Sequence, residues 1–273
     1  MKLERVMELL EEKGYKSEVT NYDVERLVVF TDGECNPCFV VETLINDNKD
    51  KSDEEVVDWI ISVVNKNKPD ITGVMKVLKS SDEIKKNLIL YLMPKYNPTV
   101  LSEPFLDMYK GVKIALDGMA IKLTDTLLDM AGITREEAFE IAEQRTREGI
   151  KVCNMTDMEF LLDGFDFKPI EELEINEDEE PIMLILTNDN QYNGASAIVF
   201  NDVLEQIREK LDSDYYIIPS SVHEVLIVRA YNANTNDINK MIEDVNETQV
   251  DPRDRLVNHF YIYSKEKGLH YIK

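Results

Sequence analysis

The chain has 273 residues, 43% of them apolar and 31% charged, enough for one large core or two ordinary ones. Its 54 acids against 31 bases leave a net charge of −23, a sign that repels duplex DNA and anionic lipid and attracts basic proteins. No apolar run approaches the ~20 residues that span a bilayer, and three cysteines do not make a disulfide scaffold in a chain this size.

In chain order, Leu3, Val6, Met7 and Leu10 have helical spacing, with Gly14 placed to end the helix. No cleavable signal precedes this pattern, so the expected compartment is the cytoplasm. Glu25–Phe30 reads as a strand, Asp32-Gly33 as a turn, and Phe39–Leu44 as the returning strand. Cys35-Asn36-Pro37-Cys38 is a C-x-x-C, but redox pairs sit at helix N-termini and this one leads into β-branched sequence. A zinc site would need two more ligands, and neither Cys153 nor the three scattered histidines make a second close pair. No metal or cofactor is expected.

Ser52-Asp53-Glu54-Glu55 is a capping box, starting a helix with Val56, Val57, Ile60, Ile61 and Val64 on one stripe. Leu88–Leu92 is a buried strand closed by Pro94. Lys113–Leu116, Asp117-Gly118 and Met119–Lys122 form a hairpin, since Asp-Gly suits a type I′ turn. Thr124 caps a helix ending at Gly132; Thr134-Arg135-Glu136-Glu137 starts another, and Thr156–Glu159 is a third candidate capping box. Glu171 to Glu180 holds seven acids and no base, whose self-repulsion favours an extended linker.

Beyond it, Ile182–Leu186 is a strand, 187–194 a polar loop, and Ala195–Val199 a further strand. Asn201 is placed to cap a helix carrying Val203, Leu204, Ile207 and Leu211. Tyr215–Ile218 and Val225–Val228 are strands, Ile238, Met241, Ile242 and Val245 mark a helix, and Phe260–Ser264 with Leu269–Ile272 closes the chain as a hairpin. Strands joined by short turns, with helices between, predict an α+β fold of mostly antiparallel sheets. The expected organisation is an N-terminal lobe (1–168), an acidic linker (169–181) and a C-terminal lobe (182–273).

Ile217-Ile218-Pro219-Ser220-Ser221-Val222-His223-Glu224-Val225 sets a knot of polar groups between two apolar runs. Together with Leu186-Thr187-Asn188, Gly194-Ala195-Ser196-Ala197 and Val245-Asn246-Glu247-Thr248-Gln249-Val250, it resembles an uncharacterised bacterial family, domain of unknown function 5688, common in anaerobic gut Firmicutes. The run Gly118–Gly132 and the helix after it resemble that family's middle region. The resemblance implies a cytoplasmic bacterial protein and carries over no activity, cofactor or catalytic residue.

Ser220, Ser221, His223 and Glu224 contain the ingredients of nucleophile, base and acid. Ser221 and His223, two apart on a strand, share a face. No Gly-x-Ser-x-Gly elbow precedes the serine, and the competing role is a structural corner whose hydroxyls satisfy the main chain. Asn188, Asp189 and Tyr192 of the polar loop, with Ser220, are the candidate binding residues; the loop lacks the spacing of a calcium-binding EF-hand. The expected function is a non-enzymatic binding or regulatory module with a basic protein partner and no direct contact with nucleic acid or membrane. The alternatives are an acidic decoy that covers the nucleic-acid-binding surface of another protein, and a serine hydrolase built on Ser221, His223 and Glu224.

Overall fold

Apolar residues three and four apart wind Leu3–Glu12 into α1, which buries Val6, Leu9 and Leu10. The computed structural model describes residues 2–22, 25–30, 38–66, 72–116, 119–155, 166–175, 182–230 and 235–271. The chain divides into two units, residues 1–76 and 77–273.

In the first unit, β1 (Ser17–Tyr22), β2 (Glu25–Phe30) and β3 (Cys38–Val40) form an antiparallel sheet in that order. The expected strand Phe39–Leu44 is not one element: it ends at Val40, and Val41–Asp47 is a helix, α2. Val41, Leu44 and Ile45 have helical spacing, and burial of Val41 and Leu44 on the core overrides the β propensity of the run. The Ser52 capping box forms as expected. The Glu55 N–H donates to Ser52 Oγ at 3.2 Å, and the Ser52 N–H donates to Glu55 Oε2 at 2.8 Å. It starts α3 (Asp53–Lys66), whose Val56, Val57 and Ile60 complete a core with α1, α2 and Val28 of β2. Each such side chain contributes roughly 1.5–3 kcal/mol over exposure.

The division between the units falls within α4 (Thr72–Leu78). In the second unit, Ser80 caps α5 (Ser81–Lys86) by accepting from the Glu83 N–H at 3.3 Å. Neither short helix is legible from periodicity, because each ends before an apolar stripe can repeat. The sheet that follows is built on β6 (Met108–Leu116), which pairs along one side with β4 (Leu88–Met93). Its other side is shared by β5 (Ser102–Phe105) and β7 (Met119–Lys122). The hairpin β6–β7 is thus the expected one; its Asp117-Gly118 turn lies outside the described residues. Thr124 and Thr134 cap α6 (Asp125–Ala131) and α7 (Arg135–Glu148) as expected, accepting from Leu127 N–H and Glu137 N–H at 3.2 and 3.1 Å. Thr146 of α7 covers the open edge of β4: its hydroxyl accepts from the Leu90 N–H at 2.8 Å.

A second, six-stranded antiparallel sheet has the order β13-β12-β10-β11-β9-β8. Its strands are β8 (Ile150–Asn154), β9 (Met183–Asn188), β10 (Tyr215–Pro219), β11 (Val225–Arg229), β12 (Tyr261–Ser264) and β13 (Gly268–His270). β8 and β9 stand on opposite sides of the expected linker yet pair directly, Val152 opposite Leu186. Residues 169–175 are also docked rather than extended. Ile170 and Leu173 are buried, and Lys210 Nζ donates to the Glu171 and Leu173 carbonyls at 2.8 and 2.9 Å. One apolar anchor at the start of the acidic run and one just before it outweigh its self-repulsion; residues 176–181 and the candidate box at 156–159 lie outside the described residues. One core joins both sheets, from Leu90 and Ile114 to Leu186 and Ile227.

Two local expectations change. Gly194–Val199 is a 3-10 helix rather than a strand, with five consecutive buried residues from Gly194 to Ile198. Asn201 opens α8 (Asn201–Leu211) without capping it; its side chain accepts from the Tyr263 hydroxyl at 3.3 Å instead. α9 (Thr235–Gln249) is present where expected, but it buries Ile242 and Asn246 and leaves Met241 and Val245 exposed.

Candidate functional site

The polar loop between β9 and the 3-10 helix is organised by Asn188. Its Oδ1 accepts from the N–H groups of Asn190 and Tyr192, both at 3.2 Å, and its Nδ2 donates to the Tyr192 carbonyl at 2.8 Å. The loop then turns through left-handed backbone at Gln191 and Asn193, with φ of 51° and 59°, a region asparagine tolerates. Gly194 follows where a Cβ would lie 2.2 Å from Thr187 Oγ1 and 2.7 Å from the His223 carbonyl oxygen. The loop is therefore seated on the corner between β10 and β11.

That corner is a main-chain structure. Ser221 Oγ accepts from the His223 N–H at 3.0 Å, and the Ser221 N–H donates to the Glu224 carbonyl at 3.3 Å. His223 Nδ1 accepts from the Asn193 N–H at 3.2 Å, so in the neutral imidazole the proton sits on Nε2, which faces Asp254 Oδ1 at 3.5 Å. The Tyr192 ring packs on the imidazole with centroids 5.0 Å apart. Both ring nitrogens are thus engaged away from Ser221, whose hydroxyl is turned to the backbone. The acid beside His223 is Asp254, and Glu224 takes part through its carbonyl.

Against this loop stands Lys113 of β6, only 9% exposed. Its Nζ donates to Asn193 Oδ1 at 2.8 Å and lies 4.2 Å from the Tyr91 ring centroid and 5.5 Å from that of Tyr192. Gly111 makes the Tyr91 position possible: a Cβ there would come within 2.6 Å of the Tyr91 ring. Among the described residues no carboxylate comes within ion-pair distance of Lys113. Burial first, and the like charge of Lys122 across the strand pair second, push the amine from 10.5 down to about 8, with Asp254 pulling the other way. Asn193 is itself 1% exposed, and its Nδ2 has no hydrogen-bond partner among the described residues.

Tyr192 also lines a cleft of about 810 Å³. Ile89, Ala115 and Leu116 give it an apolar wall; Arg145, Glu148, Asn188, Asp189 and Asn190 supply polar groups. Ile89 is the cross-strand partner of Lys113, and Ala115 lies two residues on along the same strand face. Lys113 and Asn193 are not part of the cleft's lining; Tyr192 connects cleft and amine, lining the one and standing 5.5 Å from the other. Of the sequence-derived binding candidates, Asn188, Asp189 and Tyr192 line it and Ser220 does not. Asp189 is held by Lys151 at 3.3 Å.

A separate cluster lies at the β5–β6 turn. Asp107 accepts from the Tyr261 hydroxyl at 2.6 Å and meets His259 Nε2 at 2.8 Å, while Tyr271 stacks on His259 at 5.2 Å. Burial raises the Asp107 carboxyl, but the hydrogen bonds from Tyr261 and His259 outweigh it and leave the group below its ordinary value. Among the described residues no group of three His, Cys, Asp or Glu side chains is placed to hold a metal. Cys38 is exposed on β3; Cys35 lies outside the described residues.

Lys113, Asn193, Tyr91 and Asp254 escape a reading of the sequence. Lys113 looks like an ordinary outward residue of an alternating strand, and nothing local says that a second layer covers it.

The fold is α+β with antiparallel sheets, and its candidate site is a polar loop that lines a cleft on one side and meets a buried amine on the other. The chain belongs to the family of unknown function DUF5688, whose pattern matches residues 14–265. No curated protein and no solved structure matches it. No helix among the described residues is long and apolar enough to cross a membrane.

Proposed function

We propose that residues 77–273 form a ligand-binding module whose site is the cleft beside the Asn188–Gly194 loop. The observation that carries this reading is the cleft's construction. A volume of about 810 Å³ has room for a small organic molecule, and the lining sets one apolar wall against a larger polar side, which suits a ligand that is itself largely polar. The Asn188 hydrogen bonds fix the polar side in advance, which lowers the ordering cost of binding. Ligand occupancy would serve a binding or regulatory role in the cytoplasm, and the net charge of −23 favours a basic protein as any macromolecular partner.

A thermal-shift screen of small polar metabolites tests it. A ligand at about 100 times its Kd adds about 2.7 kcal/mol of stability, a clear rise in melting temperature. Asn190→Trp, which places an indole at the wall from an exposed position, should abolish that rise without lowering the melting temperature of the free protein. A screen without hits, or hits indifferent to Asn190→Trp, would reject the cleft as the site.

A further inference from the structure

Lys113 and Asn193 form a pair that the cleft alone does not account for. A buried lysine without a carboxylate partner is costly as an ammonium ion. Here the charged form has one amide oxygen and two tyrosine faces. The neutral form is served as well, because rotation of the Asn193 amide would turn Nδ2 toward the Nζ lone pair. The Nδ2 donor, buried and unpaired among the described residues, is the second observation: a ligand oxygen beside Nζ would satisfy it.

Resting on the reading of the cleft as a ligand site, we propose that its ligand is a small aldehyde or ketone, and that Lys113 holds it covalently as an imine. The neutral amine adds through its lone pair to the carbonyl carbon, giving a carbinolamine. The carbinolamine oxygen then leaves as water, carrying the two protons that Nζ gives up, so one C=O and two N–H bonds become one C=N bond and one water. Nothing is oxidised or reduced, and no co-reactant is needed. The lowered proton affinity of Lys113 keeps part of the amine neutral near physiological pH. Asn193 Nδ2, on the amide that already holds Nζ, is the donor for the carbinolamine oxygen. Tyr192, between cleft and amine, is the side chain that must swing aside to admit the ligand. The other charged or titratable groups around the amine are Lys122, Asp254, His223, Tyr91 and Tyr192.

The test is reductive trapping on the intact chain, with propanal and pyruvate as probes, cyanoborohydride as reductant, and peptide mapping by mass spectrometry. At about pH 7.5, Lys113 should be alkylated roughly tenfold faster than the median of the other lysines, because far more of it is neutral. Tyr192→Ala should raise its rate severalfold, and Lys113→Arg should leave only the background of surface lysines. Alkylation of surface lysines with Lys113 untouched, in both the wild type and Tyr192→Ala, overturns the proposal. Amide NMR read on the same probes separates the two readings. Shifts at Leu116, Asn190 and Tyr192 without an adduct reject the imine and leave the cleft. Neither shifts nor adduct rejects the imine, and the cleft as a site for these probes with it.

Discussion

Asn193 holds Lys113 by one atom of its amide: Oδ1 accepts from Nζ at 2.8 Å, while Nδ2 has no partner among the described residues. The two residues are 80 positions apart in the chain. Their meeting puts a cation where a β-strand interior would otherwise carry an apolar side chain, and the consequences are measurable.

The first is a pH dependence of stability. Lys113 titrates at about 8 in the folded chain against 10.5 for an ordinary lysine. Between those values the unfolded chain binds more protons, so stability rises with pH through that window; below it the ammonium is buried at full cost. From neutral pH to about pH 10, Lys113 should contribute a gain of about 2 kcal/mol. Urea unfolding of wild type and Lys113→Met across this range isolates the effect, because the other groups that titrate there are common to both. Parallel curves for the two proteins would contradict it.

The corner and its loop should behave as structure. Gly194→Ala drives a Cβ into Thr187 and the His223 carbonyl, and overpacking of this kind costs about 1–3 kcal/mol. Ser221→Ala leaves the His223 N–H without its hydroxyl acceptor, at a cost of about 1 kcal/mol. A fluorophosphonate probe should leave Ser221 unlabelled in the wild type, since no imidazole nitrogen faces its hydroxyl. Stoichiometric labelling lost in His223→Ala would restore the hydrolase reading.

The Asp107 cluster should act as a lock on the C-terminal hairpin. Tyr261→Phe removes a 2.6 Å hydrogen bond to a carboxylate, and such bonds contribute about 1.5–3 kcal/mol. The Asp107 carboxyl lies below its ordinary value when folded. Its stabilisation is therefore present above the unfolded value and lost as pH falls through the folded one. Asp107→Asn should flatten the acid limb of the stability curve relative to wild type, as read by chemical denaturation at stepped pH. An unchanged acid limb would show that the lock does not form in solution.

Local signals were reliable where a few neighbouring residues carry the physics. The Ser52, Thr124 and Thr134 caps rest on hydrogen bonds between residues three apart, and all form as their spacing predicts. Strands β4, β10 and β11 were legible because their apolar residues run together between turns, whereas only the Lys113–Leu116 end of β6 was read. The polar loop stood out because Asn188, Asp189 and Tyr192 interrupt two buried runs. Phe39–Leu44 and Ala195–Val199 misled because short apolar stretches fit both strand and helix, and the face that finds a core decides between them. The linker misled for a related reason: charge density is visible in the sequence, whereas the buried seats of Ile170 and Leu173 are not.

By itself the sequence determined the class of object, an acidic α+β chain of mostly antiparallel strands, and it marked the loop and corner as unusual. Hydrophobic periodicity, capping and turn chemistry act over a few residues, so they can be read along the chain. Only the tertiary structure decided that β8 and β9 pair across residues 169–181, that the Ser221 hydroxyl meets the His223 N–H rather than its imidazole, and that Lys113 of one sheet meets Asn193 beside the other. Those outcomes depend on which surfaces come together. The burial that pushes the Lys113 amine to about 8 exists only once both sheets and the loop close around it.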